Sequence, residues 1–434
     1  MKKLALLFGG LLLGINLVNA QASISPAPAQ SKPIVITGAT IHVGNGTVIN
    51  NGYIALDKGK ITAVGEGAPS NTTGADVIDA SGKQIYPGFI CPVTTLGLVE
   101  VEEGAKGTVD DSETGDFNPN VRSLVAYNTD SKVIPTVRSN GILLAQPTPD
   151  GGVMPGESSV VQLDAWNWED AAYKKDIGVH LNWPVVHTSL RRRGPAPSES
   201  PTEIAQKEID VITSFFTQAK AYAELPKPNV INQRFEAMRG LFSGTKKLFV
   251  NANGEREILQ AVSFGKKFGM QVVIVGGADA YLVTEELRDN NVPVILTETQ
   301  RLPDYEEDDV YLPYKTPKLL QDGGVLYGLT GIGFWRQRNL PFEAGEAVGY
   351  GLTKEQALSM ITINNAKILG IDKTTGTLEV GKDANLFISK GDALDMITID
   401  VQKAFIQGRD INLDNLHKQL YRKFAGKYGV KANL

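Results

Sequence analysis

Cysteine is almost absent from this chain: Cys91 is the only one in 434 residues. No internal disulfide can form, so a folded chain of this length must be held by its core. Cys91 lies in an apolar run and reads as a small buried hydrophobe. A nucleophilic thiol would need a neighbouring base, and the sequence shows none. Histidine is nearly as scarce, with only His42, His180, His187 and His417. His180 and His187 flank a Trp-Pro turn and do not have the spacing of two ligands on a metal-binding helix. A structural role is expected for all four. A strong charge imbalance is missing too: 43 Lys and Arg stand against 48 Asp and Glu, a net charge of −5. That excludes a general attraction for nucleic acid or anionic membrane. Also missing are a G-x-S-x-G elbow, a P-loop, a dinucleotide fingerprint and a C-x-x-C pair.

Past residue 18 the chain has no long hydrophobic run, so no membrane span is expected. Before it, Met1-Lys-Lys is followed by an apolar run from Leu4 to Val18, and Val18-Asn19-Ala20 fits a small-residue cleavage site. Residues 1–20 therefore read as a signal peptide, with export to a periplasm or the medium. Its removal takes away two lysines and moves the net charge to −7.

What is plentiful is turn chemistry: 45 Gly and 22 Pro, which suits many short elements. Residues 21–32 read as a disordered leader. From Ile34, short β-branched runs are separated by Gly44-Asn-Gly46, Asn50-Asn-Gly52 and Asp57-Lys-Gly59. These predict antiparallel strands over residues 33–85, half of a small β-sandwich. After Pro87 the period alternates between strand and helix. Leu248–Ala252 predicts a strand, and Glu255–Phe268 a helix with Ile258, Leu259, Val262 and Phe268 on its apolar side, stopped by Gly269. Val272–Val275 is a second strand, Asp279–Arg288 a second helix and Val292–Leu296 a third strand. Near-continuous apolar strands between helices imply a parallel sheet buried on both faces. Over about 250 residues this favours a closed (β/α)8 TIM-like barrel at residues 86–374, with an open doubly wound sheet as the other solution.

Thr353 and Gln356 form a capping box opening a helix that reaches Leu369. Strands at residues 385–389 and 403–407 should complete the sandwich, which spans 33–85 and 375–412; residues 413–434 form the last segment, and a terminal amphipathic helix is expected from Asn412 to Tyr428. Trp166, Trp168 and Trp183 read as packing under long loops, and Arg191-Arg-Arg193 as a solvated loop.

The stretch Pro87-Gly-Phe-Ile-Cys-Pro-Val-Thr-Thr95 resembles the Pro-Gly-Phe-Ile-Asp-x-His-x-His signature of the amidohydrolase superfamily. Asp57-Lys-Gly-Lys-Ile-Thr-Ala-Val-Gly65 and Gly376-Thr-Leu-Glu-Val-Gly-Lys-Asp-Ala-Asn-Leu386 resemble two further stretches of it, with Asn385 in place of an Asp. The resemblance covers nearly the whole mature chain. It implies a barrel plus sandwich, hydrolysis of non-peptide or dipeptide C–N bonds, and water activated by one or two divalent cations, usually zinc. Carried over motif by motif, the ligand positions hold other residues. Val93 and Thr95 stand at the two His of the first strand, and Gln162, near Asp164, at the bridging Lys. Asn251 stands at the fifth-strand His, Gly276 at the sixth-strand His, and Thr330 at the eighth-strand Asp. None is a good zinc donor.

The expectation is thus a barrel without catalytic residues, metal or cofactor. Val93, Thr95, Gln162, Asp164, Asn251, Gly276 and Thr330 would line a small-molecule pocket in a protein that works as an oligomer, beside an active amidohydrolase relative. The competing expectation is a C–N hydrolase whose acids, Asp164, Asp279, Glu298 and the run Glu306-Glu-Asp-Asp309, hold a hard cation. A third is a structural exported protein without a ligand.

Overall fold

The computed structural model describes residues 24–101, 107–185, 200–303 and 306–432. The expected signal peptide, His187 and the Arg191–Arg193 run lie outside them.

Two eight-stranded sheets organise the chain. The first is built from both chain ends. Strand Ile34–His42 pairs antiparallel with Val48–Asp57, which pairs with Lys60–Glu66. The turn between the last two places Lys58 and Gly59 at positive φ, as its Lys-Gly pair predicts. Asn50-Asn-Gly52, expected as a turn, lies inside strand Val48–Asp57, and register shifts lie opposite Gly52 in the partner strand. From the other end, Leu386–Ser389 and Val401–Ile406 complete the sheet through Gln84–Pro87. Its inward face buries Ile36, Ile41, Ile54, Leu56, Ile85 and Leu386. At the mismatched family position, Asn385 is buried, bonding Thr375 Oγ1 at 3.0 Å and accepting from the Gln407 amide at 2.8 Å.

The second sheet is the barrel wall. Its strands follow in chain order: Phe89–Thr94, Ile142–Pro147, Glu157–Gln162, Ala172–Asn182, Lys247–Ala252, Val272–Gly276, Val294–Thr297 and Tyr327–Thr330. Strands four to eight are parallel, as are one and two. The third runs antiparallel to both neighbours, with Leu144 opposite Gln162 and Glu157 opposite Val179. No helix separates strands two and three, and only the single turn Trp168–Ala171 separates three and four. Without a crossover helix a strand can only double back.

Helix Glu255–Phe268 forms as its periodicity predicts and ends at Gly269 in the left-handed region. Leu259, expected on the apolar side, sits at the edge of the buried stripe and is partly exposed. The helix expected over residues 353–369 is two, Lys354–Met360 and Ile363–Leu369, broken at Thr362. The break turns Asn365 inward. Its Nδ2 bonds the carbonyls of Ile90 (2.8 Å) on strand one and Leu329 (3.0 Å) on strand eight. Thr330 Oγ1 donates to the Pro92 carbonyl across the same seam. Among the described residues no backbone ladder joins strands eight and one, so these side chains close the barrel. Residues 24–32 are tied down. The Ala27 amide donates to Asp164 Oδ2 at 2.8 Å, and Gln30 bonds the Leu56 carbonyl and the Gly59 amide. Among the described residues no helix is long and apolar enough to cross a membrane.

The barrel mouth as candidate functional site

In a parallel barrel the carboxyl ends of the strands carry the chemistry, because loops leave the wall there. Val93, Thr95, Asn251, Gly276 and Thr330 all reach that end. Val93 has φ 43°, a conformation a β-branched residue rarely adopts, and its amide donates to Gln146 Oε1 at 3.1 Å. Thr95 is half-buried and starts a turn, its amide bonded to the Gly333 carbonyl at 3.0 Å. Asn251 donates to the side chain of Asn182, next to it on strand four. Gly276 has φ 97°, and a Cβ there would stand 2.3 Å from Asn253 Oδ1. Thr330 is buried, its hydroxyl committed to the seam.

Gln162 and Asp164 do not belong to this end, a correction to their expected place in the pocket. Strand three runs downward, so Gln162 pairs with Leu144 at the floor of the barrel and Asp164 lies just beyond. Asp164 receives Arg138 Nη1 at 2.6 Å and Arg409 Nη1 at 3.0 Å, while Gln162 Oε1 accepts from Arg409 Nη2 at 2.9 Å. Alternating residues identify a strand but not its direction, so this reversal carries no sequence signal.

The downward strand brings a different residue to the mouth. Ser158 lies near its upper end, 2.7 Å from His180 Nε2 on strand four, and accepts from Gln146 Nε2 at 2.8 Å. His180 also stacks on Phe249, with centroids 4.9 Å apart. Burial drives its pKa down to about 3, so the imidazole is neutral, and its Nδ1 is buried without a partner. The inward alternation of strand four was the available signal for His180; nothing in the sequence marked Gln146 or Ser158 as its partners. Burial also pushes the Cys91 thiol up to about 11, against any nucleophilic use.

The remaining acids have local partners. Asp279 Oδ2 caps helix Glu255–Phe268 at the Glu255 amide, 3.2 Å away. Glu298 pairs with Arg336 at 2.6 Å. Glu306, Glu307 and Asp309 are exposed, and Asp309 pairs with Lys315. Beside the end of strand seven, Glu343 is buried and accepts from the Thr299 amide at 2.9 Å; burial and the nearby Glu298 raise its pKa to about 7. Among the described residues no three of His, Cys, Asp and Glu converge on a point that would hold a metal. His42 lies between the two sheets, with its ring nitrogens 2.6 Å from Glu355 Oε1 and 2.8 Å from Gln84 Oε1, and His417 packs edge-on against Trp335. Trp183 is buried under the loops as expected, whereas Trp166 is exposed.

A barrel of this strand order, with a second sheet assembled from both chain ends, is the amidohydrolase fold. It matches an amidohydrolase from Thermotoga maritima with a TM-score of 0.73 at 22% identity, covering 87% of this chain and 99% of that one. A putative prolidase from Bifidobacterium longum matches at 0.53 and 16% identity over 88% of this chain and 95% of its own. An adenosine deaminase from Xanthomonas campestris with bound zinc matches at 0.53 and 14%, over 93% and 99%. In sequence, residues 336–413 match the Amidohydrolase family model. Amidohydrolase tasK of Hapsidospora irregularis is 35% identical over 123 residues, which are 26% of this chain and 12% of that relative's length. Residues 336–413 thus resemble the Amidohydrolase family in sequence, and the chain as a whole shares the fold of amidohydrolases of known structure. The family match falls on the closing helices and strands, away from the mouth positions of strands one, five and six.

Proposed function

We propose that this chain is an exported, metal-free amidohydrolase that binds a small molecule at the barrel mouth and acts as a non-catalytic subunit beside an active relative. What carries this reading is that the family's ligand positions are built into the wall. A side chain at Gly276 would collide with Asn253, and the Thr330 hydroxyl is tied to the Pro92 carbonyl. Val93 offers no lone pair, and Asn251 is engaged with Asn182. Zinc needs three or four strong donors, and these residues do not fit it, so no step is routed through a metal. The groups that remain at the strand ends are largely neutral and polar, Thr95, Asn182, Asn251 and Thr297 with the Gln146–Ser158–His180 chain below them, while Glu298 is paired with Arg336. Such a surface suits a neutral ligand with amide or hydroxyl groups.

The test is elemental analysis of the purified protein together with hydrolysis assays on N-acyl amino acids and dipeptides, with and without added zinc. Substoichiometric metal and no metal-dependent turnover are expected. A full metal complement with metal-dependent hydrolysis would overturn the reading.

A further inference from the structure

The mildly acidic net charge conceals a local exception. Between residues 412 and 432 the chain carries Lys418, Arg422, Lys423, Lys427 and Lys431 against the single acid Asp414. Helix Leu416–Lys427 buries only Ala425 against the body, and Asn415 fixes its start by bonding Ser139 Oγ at 3.1 Å. The opposite side is apolar and open. Leu416, Leu420, Phe424 and Tyr428 follow one another at a spacing of four, one line along the helix, and are 48, 39, 47 and 69% exposed. Lys423 and Lys427 lie along the edge of this line.

A second observation comes from the neighbouring cleft, which Trp166, Leu416 and Gln419 line together with Ile24, Ser25 and Pro26. Trp166 is 66% exposed. The first described residues thus sit on this face. The cleft also reaches Arg138 and Asp164, so the face adjoins the floor of the barrel.

We propose that the terminal helix, with Trp166, docks the protein on an anionic phospholipid surface. Leucine and aromatic side chains would enter the boundary between headgroups and acyl chains, while lysines extend to the headgroup phosphates. A basic helix on an acidic body has charge complementarity with anionic lipid.

The described fold begins at Ile24, so a chain starting at Gln21 retains all of it. This chain is mixed with phosphatidylcholine vesicles, with or without one third phosphatidylglycerol, and pelleted. It should pellet with the anionic vesicles and remain in solution with the neutral ones. Binding should fall roughly tenfold in about 0.5 M salt. Leu420→Glu with Phe424→Glu should fall as far, and an unchanged melting temperature would show that these exposed substitutions leave the fold intact. No pelleting with anionic vesicles, equal pelleting with both kinds, or full binding by the double variant would overturn the proposal. A concentration-dependent dimer dissolved by the double variant, without vesicle binding, would assign the face to a second copy of the chain. Neither metal content nor hydrolysis enters these readouts, so the outcome is independent of the mouth's function.

Discussion

The two ends of the barrel treat charge in opposite ways. At the floor, Asp164 lies between Arg138 and Arg409, with its side chain and that of Arg138 almost wholly removed from water. At the mouth, where relatives with this fold are expected to hold cations, the family's ligand positions are uncharged and bond to neighbouring polar groups, and the acids beside strand seven, Glu298 and Glu343, are tied to Arg336 and to the Thr299 amide. A buried charge is retained where its partner comes from another part of the chain, because losing either then weakens the fold. The floor cluster joins the leader, strand three and the closing β-hairpin; its work is structural. The family's ligand positions at the mouth carry no such charge pair, which is what leaves them open to the neutral ligand proposed above.

The sharpest way to break this comparison is at the floor. Asp164→Asn leaves two guanidiniums facing an amide and should cost about 3–5 kcal/mol in urea unfolding. A loss below about 1 kcal/mol would mean the cluster is solvated in solution, as surface pairs are.

Next in size is a pH effect near the end of strand seven. Glu343 has a folded pKa near 7 against an ordinary value of 4.5. Its neutral form suits the buried site, so its contribution is fully present below pH 4.5 and is lost as pH rises through 7. Glu343→Gln should leave stability unchanged in acid and raise it on the order of 3 kcal/mol above neutrality. His180 has the opposite sign. Its pKa is depressed to about 3, so its contribution is present above 6.5 and is lost as pH falls toward 3. Denaturation across pH separates the two, and a Glu343→Gln curve parallel to wild type would remove the carboxyl from the account.

Much of this architecture was legible in advance. Pro87 to Ile90 marked the entry to the barrel, Gly269 stopped its helix in the left-handed conformation, and the Thr353–Gln356 capping box opens a helix at Lys354. Periodicity reports such features because each depends on neighbours in sequence. The direction of strand three does not, and that single reversal moved Gln162 and Asp164 from one end of the barrel to the other. The break at Thr362 was hidden because the helices on both sides have good helical sequences, and only the seam they serve requires the interruption.

That seam gives the third prediction. Asn365 supplies two bonds that the open sheet lacks between strands one and eight, and Gly328 keeps the space its side chain fills. Asn365→Ala should cost about 1–3 kcal/mol, the penalty for stranding buried carbonyls, with faster amide exchange in strands one and eight than elsewhere in the barrel. Uniform exchange would show that the barrel does not depend on this stitch.

The smallest expected effect is the most direct test of the mouth. Asn251→His restores the residue expected at the fifth-strand position and gives up only the half-buried contact with Asn182. A lone imidazole there would still lack companions. The Gly276 position admits no side chain without moving Asn253, and the Thr330 oxygen is held in the seam. Stable zinc binding takes at least three such donors, and ligand binding to the folded state raises its melting temperature in proportion to affinity. Added zinc should therefore leave the melting temperature of Asn251→His where it leaves that of the wild type. A zinc-dependent rise in the variant alone would mean that the neutral wall rearranges to supply donors, and that the mouth is one substitution from a metal site.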